Sequence, residues 1–257
     1  AFGIDSKTIS DSIKLPVFNA GLIAGLGMRY IFDSYEPYFR QGDIVILMPE
    51  YDHFYGDNAY GNPETAGYLP YLSDFKPWLL NDKQLGVVSL GFLKTTLQIA
   101  VKGTYFKLLH AFRPAGNVYE YKMSGFNKWG DEVSHRMLPP NINNIGAYPI
   151  FGAYNASYTQ HLLNQVYHLR ERGVRVIFFP PITSKKMVAL NHKQIVKIKR
   201  SLAAAGCAYA VSPDSLAYPD SLLYNTTYHL NAQGVAVNSQ RLAGYLKLLL
   251  HSPFRKK

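Results

Sequence analysis

Two short runs constrain the fold more than anything else in the chain. They are "GDIVILMPEY" (42–51) and "VRVIFFPPI" (174–182). Each is apolar at successive positions rather than at alternate ones, is of strand length, and is bounded by turn or proline signals. A strand with one wet face alternates, whereas a strand covered on both faces does not. Both runs therefore read as buried parallel strands, and parallel neighbours need a crossover between them.

The intervening sequence supplies the crossovers. "KLPVFNAG" carries a short strand, Val17–Asn19, ending at Gly21. Apolar residues at helical spacing, including Tyr30 and Ile31, predict a helix over 27–39 with Pro37 near its end. Further helices are predicted over 83–112, 155–172 and 188–205, the last two closed by Gly173 and Gly206. "CAYAVS" (207–212) reads as a third strand. A final helix is predicted over 231–250 with Asn231 as its N-cap. Strands alternating with helices imply an α/β chain, a parallel sheet with helices on both faces. One domain spans 1–257. The stretch 52–115, rich in Gly, Tyr, Asn and Pro before it turns helical, reads as an inserted lid.

Composition narrows the partners. The 257 residues are 47% hydrophobic and 17% charged, which describes a globular chain. The net charge of +10 suits an anionic polymer or a membrane surface. The basic residues Lys193, Lys197, Lys199 and Arg200 fall on a helical pattern as a solvated face, with no nucleic-acid-binding motif beside them, so no nucleic acid is expected. Cys207 stands alone and cannot form an intramolecular disulfide. No apolar run reaches the length needed to cross a bilayer.

Ligands of open parallel sheets bind beyond the carboxyl ends of the strands. Three loops leave such ends, 19–27, 49–54 and 180–186, and the loop before the last helix, "LYNTTYHLNAQG" (223–234), reaches the same edge. That loop holds His229, a candidate general base or a helix-entry residue. "NAGLIAGLG" offers backbone amides, Gly21 among them, for an oxyanion. "PEYDHF" sets Glu50, Tyr51, Asp52 and His53 in a row. Glu50, Asp52 and His53 with His229 form the donor set of a cytoplasmic metal-dependent hydrolase, the weakest reading, since no H-E-x-x-H spacing is present. His135 follows "FNKWGD" in a polar loop and is positioned to line the site.

The ordered set "FGIDS", "FNAGLIAGLG", "GDIVILMPEY", "FNKWGD" and "YHLNAQG" resembles the SGNH (GDSL-like) hydrolase superfamily. The resemblance is to its bacterial branch acting in envelope and exopolysaccharide acylation, which includes relatives of the D-alanine transfer protein of teichoic acid synthesis. It covers nearly the whole chain. It implies a flavodoxin-like three-layer α/β/α sandwich and a serine esterase or O-acyltransferase without a metal or cofactor. His229 matches the family histidine, and Gly21, with Asn19 beside it, the oxyanion block. The chain departs from the family pattern in three ways. The family serine precedes the phrase that reads "AFGIDS" here, so the nucleophile is expected upstream of Ala1. Ser6 is the nearest serine and otherwise a helix cap. The aspartate that usually precedes the histidine is replaced by Asn225, with Asp220 farther away. The oxyanion asparagine block is replaced by "PEYDHF", where Glu50 donates only when protonated.

Two functions follow as expectations. The first is an acyl-ester hydrolase or transferase on an envelope or secreted polysaccharide. Tyr-rich 51–71, helical 83–112, Trp78 and Trp129 would shape its sugar groove. The second is a catalytically degraded, glycan-binding or assembly subunit partnered with a membrane-bound acyltransferase. Either implies a periplasmic or extracellular location. The start at Ala1 without methionine reads as a trimmed product, with a membrane anchor in the longer protein.

Overall fold

The computed structural model describes residues 2–71, 75–109, 123–141 and 145–251. It is a mixed α/β chain with parallel strand pairing. Strand β1 (Ile44–Leu47) pairs in parallel with β2 (Arg175–Phe178), Val45 opposite Val176 and Leu47 opposite Phe178. The expected third strand contracts to one parallel bridge, Phe178 to Tyr209. A second short parallel pair joins β3 (Thr183–Ser184) to β4 (Ala217–Tyr218). No strand forms at Val17–Asn19, where the Asn19 amide instead donates to the Trp129 carbonyl at 2.8 Å.

Each strand is covered on both sides, as its unbroken apolar run requires. Val45, Leu47, Val176 and Phe178 join the main core with Leu162, Val166 and Leu169 of α5 (Ala156–Glu171) and Ile195, Ile198 and Leu202 of α7 (His192–Ala204). Ile46 and Ile177 turn the other way. They meet Ile9 of α1 (Ser6–Ile13) and Leu242 and Leu246 of α8 (Ala232–His251). Fully burying such a side chain contributes about 1.5–3 kcal/mol.

Helix ends follow their local chemistry. Asn155 caps α5 by accepting from the Tyr158 amide, and Gly173 takes φ +79° just past its last turn. Asn231 Oδ1 accepts from the Gly234 amide at 2.9 Å at the start of α8. At α1 the cap is Asp5, which accepts from Thr8 N, and Ser6 is the first helical residue. The helix expected over 188–205 is two: α6 (Lys185–Leu190) and α7, broken at buried Asn191, which bonds to the Ile150 amide and the Tyr148 carbonyl. The helix predicted over 27–39 is α2 (Met28–Tyr35), followed by a 3-10 turn at Glu36–Tyr38.

The expected insertion starts later than residue 52. Tyr51, Phe54, Tyr55, Ala59 and Tyr60 are buried in the main core, so these aromatics fill it rather than line a groove. The appended part is α3 (Pro63–Ala66) and α4 (Asp82–Leu109), joined to α2 through Tyr30, Ala66, Leu69 and Val88. Residues 110–112 of the predicted helix lie outside the described residues. Gly91 of α4 lies against Gly67. A Cβ there would sit 2.1 Å from the Pro63 carbonyl oxygen, so only glycine allows this approach. Gly91→Val is expected to cost about 1–3 kcal/mol, felt in α3 and α4. Hydrogen exchange should show those amides losing protection while β1 and β2 keep theirs; uniform loss would contradict a separately attached segment.

Candidate functional site

The parallel pairing sends the ends of β1 and β2 the same way, and the loop before α8 is tied to both. Past β2, the Ser184 amide and the Thr183 hydroxyl both donate to the Thr227 carbonyl, at 2.9 and 3.1 Å. The Thr227 hydroxyl donates to Ser184 Oγ at 2.8 Å. Past β1, the hydroxyls of Tyr228 and Tyr148 donate to Asp52 Oδ2 at 2.8 and 3.1 Å. His229 therefore follows two residues pinned to the two strand ends.

His229 is half-buried. Its Nδ1–H donates to Asn225 Oδ1 at 2.8 Å, which fixes the tautomer and leaves Nε2 as the basic atom. One ring face stacks on Phe2, centroids 4.0 Å apart and planes 11° from parallel. Burial drives its pKa down to about 3, with the charged amino terminus and then the nearby His135 adding to the shift. The held Nδ1–H leaves Nε2 to accept a proton, but a ring so depressed is a weak base, since the most effective base has a pKa near the working pH. Asp220 is not its partner; that carboxylate accepts from Lys186 Nζ at 2.5 Å.

A second histidine supports the first. His135 Nδ1 faces Glu132 Oε2 at 2.5 Å, and its Nε2–H donates to the Leu230 carbonyl at 3.0 Å. Both side chains are fully buried, and Glu132 also accepts from Ser134. The pair holds the backbone next to His229. Its ring contacts Phe2 and Tyr224, at centroid distances of 4.8 and 5.2 Å, complete the wall.

Ser6 is not paired with a histidine. Its hydroxyl donates to Asp131 Oδ1 at 2.7 Å and its amide to Oδ2 at 2.8 Å. Asp131 is fully buried and also accepts from the side-chain amides of Asn19 and Asn127, at 3.0 and 3.3 Å. The Gly21 amide donates to Asn19 Oδ1 at 3.0 Å. The expected oxyanion donors Gly21 and Asn19 are thus engaged with protein acceptors. In "NAGLIAGLG" the glycines serve close approach instead: Gly27, at φ +87°, lies against Gly61.

The "PEYDHF" turn divides. Tyr51 and His53 are buried, and burial lowers His53 to about 4, so neither reaches solvent as an acid or base. Glu50 is half-buried, and burial, with the charge of Asp52 beside it, raises its pKa to about 7. At neutral pH a sizeable fraction carries the proton and can donate it in a hydrogen bond. Among the described residues no three His, Cys, Asp or Glu side chains come close enough to hold a metal ion. Of the two tryptophans, Trp78 is exposed and Trp129 is half-buried with Lys128 Nζ over its ring at 4.5 Å.

Compared with protein-family models, curated proteins and solved structures, the chain matches none.

Asp131, Glu132, Phe2, Tyr148 and Tyr228 escape sequence reasoning. Phe2, Asp131 and Tyr228 fall inside the quoted motifs "FGIDS", "FNKWGD" and "YHLNAQG", but nothing in those motifs gave them a role. Asp131→Ala leaves four donors without their acceptor and should cost about 3–5 kcal/mol, against about 1–2 kcal/mol for Ser6→Ala. Urea unfolding of both variants checks the order; equal costs would remove Asp131 as the hub.

Proposed function

We propose that the chain is an SGNH-like serine esterase or O-acyltransferase acting on acyl groups of an envelope or secreted polysaccharide. The observation that carries the reading is His229: neutral, held by Asn225 through Nδ1, and placed where the loops after β1 and β2 converge. The covering of both strand faces by different helices supports the finer fold reading, a flavodoxin-like α/β/α sandwich. The charge of +10 suits an anionic glycan.

In this reading a serine hydroxyl attacks the ester carbonyl while His229 Nε2 takes its proton. The same nitrogen returns the proton to the departing sugar oxygen, leaving an acyl-enzyme. Water or a second glycan hydroxyl, deprotonated by His229, then attacks the acyl carbon and frees the serine. Protonated Glu50 supplies an oxyanion donor, a role the Gly21 amide is not free to take. Asn225 orients the imidazole but adds no negative charge against the imidazolium, which lowers the achievable rate. The Ser6 hydroxyl is committed to Asp131, so this reading calls for a nucleophile other than Ser6.

Asn225 and the engaged Gly21 amide favour a second reading, a degraded SGNH-fold subunit that binds glycan beside a membrane-bound acyltransferase. Both readings place the protein in the periplasm or outside the cell. A fluorophosphonate probe with peptide mapping separates them, applied to the protein from its native source. The first predicts an adduct on a serine other than Ser6, kept in Ser6→Ala and reduced at least about 100-fold in His229→Ala. An adduct on Ser6 would overturn the assignment of the nucleophile, and no adduct would leave the binding reading.

A further inference from the structure

The loop 22–26, helix α2 and the chain leading to α4 shape a pocket of about 100 Å³ that the catalytic reading does not use. That is room for roughly seven water-sized groups. Its inner wall is apolar and closed, with Leu69 1% exposed and Tyr30 and Ile31 buried beside it. Its rim is open at Leu22 and at Tyr38, which is 65% exposed. The "NAGLIAGLG" loop supplies Leu22 and Leu26 to this lining and is held in place by close backbone approach. Gly25 lies against Thr65 and Gly27 against Gly61, and the Asn62 amide donates to the Gly25 carbonyl at 2.9 Å. The pocket is therefore formed before any ligand arrives, as small-molecule sites usually are.

Two polar side chains share the lining, Lys76 and Ser34. Lys76 is half-buried. Its Nζ donates to the Ser34 carbonyl at 3.1 Å and to the Tyr38 hydroxyl at 3.3 Å, and lies 4.7 Å from the Tyr38 ring centre. An ammonium carries three N–H groups, so one is left over. Among the described residues no carboxylate oxygen lies within 4 Å of it. The Ser34 hydroxyl oxygen is buried, and among the described residues it has no hydrogen-bond partner. A buried hydroxyl without a partner and a half-buried cation without a counter-charge are both costly. Their needs select a ligand. Two donors, one of them cationic, match the two acceptor oxygens of one carboxylate. A phosphate brings more oxygens than the pocket has donors, and a sugar brings hydroxyls that leucines cannot satisfy. A neutral apolar molecule leaves the ammonium unpaired.

We infer that this pocket binds a small carboxylate with an apolar body, its oxygens on Lys76 Nζ and Ser34 Oγ and its body against Leu26, Ile31 and Leu69. The inference stands apart from the catalytic reading, since neither His229 nor Glu50 lines the pocket. The test is saturation-transfer NMR on the whole chain with hexanoate as the probe. Acetate, which lacks the apolar body, and hexanol, which lacks the charge, serve as controls. Hexanoate is expected to bind with a Kd of about 1 mM, and each control at least about tenfold more weakly. Lys76→Met keeps the apolar stem and removes the ammonium, so hexanoate binding should fall at least about tenfold with the circular dichroism unchanged. Ser34→Ala leaves Lys76 in place and should weaken binding roughly threefold to tenfold; it carries the test if Lys76→Met does not fold. The inference is overturned by the absence of hexanoate binding, by either control binding as well as hexanoate, or by undiminished binding in a folded variant.

Discussion

The parallel contact between β1 and β2 is the constraint from which the rest follows. Apart from Arg175 both strands are apolar, so each needs cover on two faces, and α5 and α7 on one side and α1 and α8 on the other provide it. Parallel strands end at the same edge. The turn after β1 and the turn after β2 therefore meet, and the loop before α8 bonds to both through Tyr228 and Thr227. His229 lies next in sequence. Its position is a consequence of strand direction before it is a matter of its own contacts.

Buried polar groups then set the details at that edge. Asp131 gathers α1, the Asn19 turn and the Asn127 turn onto one carboxylate. Glu132 and His135 do the same for the backbone at Leu230. A buried charge without such partners is costly, so each network specifies one arrangement of loops that would otherwise be free to vary. This accounts for the Ser6 hydroxyl facing a structural carboxylate rather than a base.

The sequence made legible what depends on local pattern. The strands at 44–47 and 175–178, the cap at Asn231 and the glycine stops at 173 and 206 rest on runs, spacing and φ preference, all readable within a few residues. What depends on distant partners was not legible. The aromatics of 51–60 have no period, so nothing local marks them as core. The break at Asn191 is made by bonds to Tyr148 and Ile150, some forty residues earlier. Asp131 reads as a polar loop residue until Ser6, 125 positions away, is seen to donate to it. In α4 the rule itself fails: its inward stripe is polar and glycine-bearing, because close backbone approach to α3 outweighs apolar burial there.

The site reading turns on the state of one imidazole. Burial disfavours the charged ring, so its pKa lies below the ordinary histidine value and protonation begins only as the pH falls well under it. The most direct measurement is a nitrogen-15 titration of the histidine side chains. The account predicts that His229 stays neutral from neutral pH down to about 5, protonated on Nδ1 with Nε2 bare. A ring that titrates near the ordinary histidine value, or carries its proton on Nε2, would contradict it.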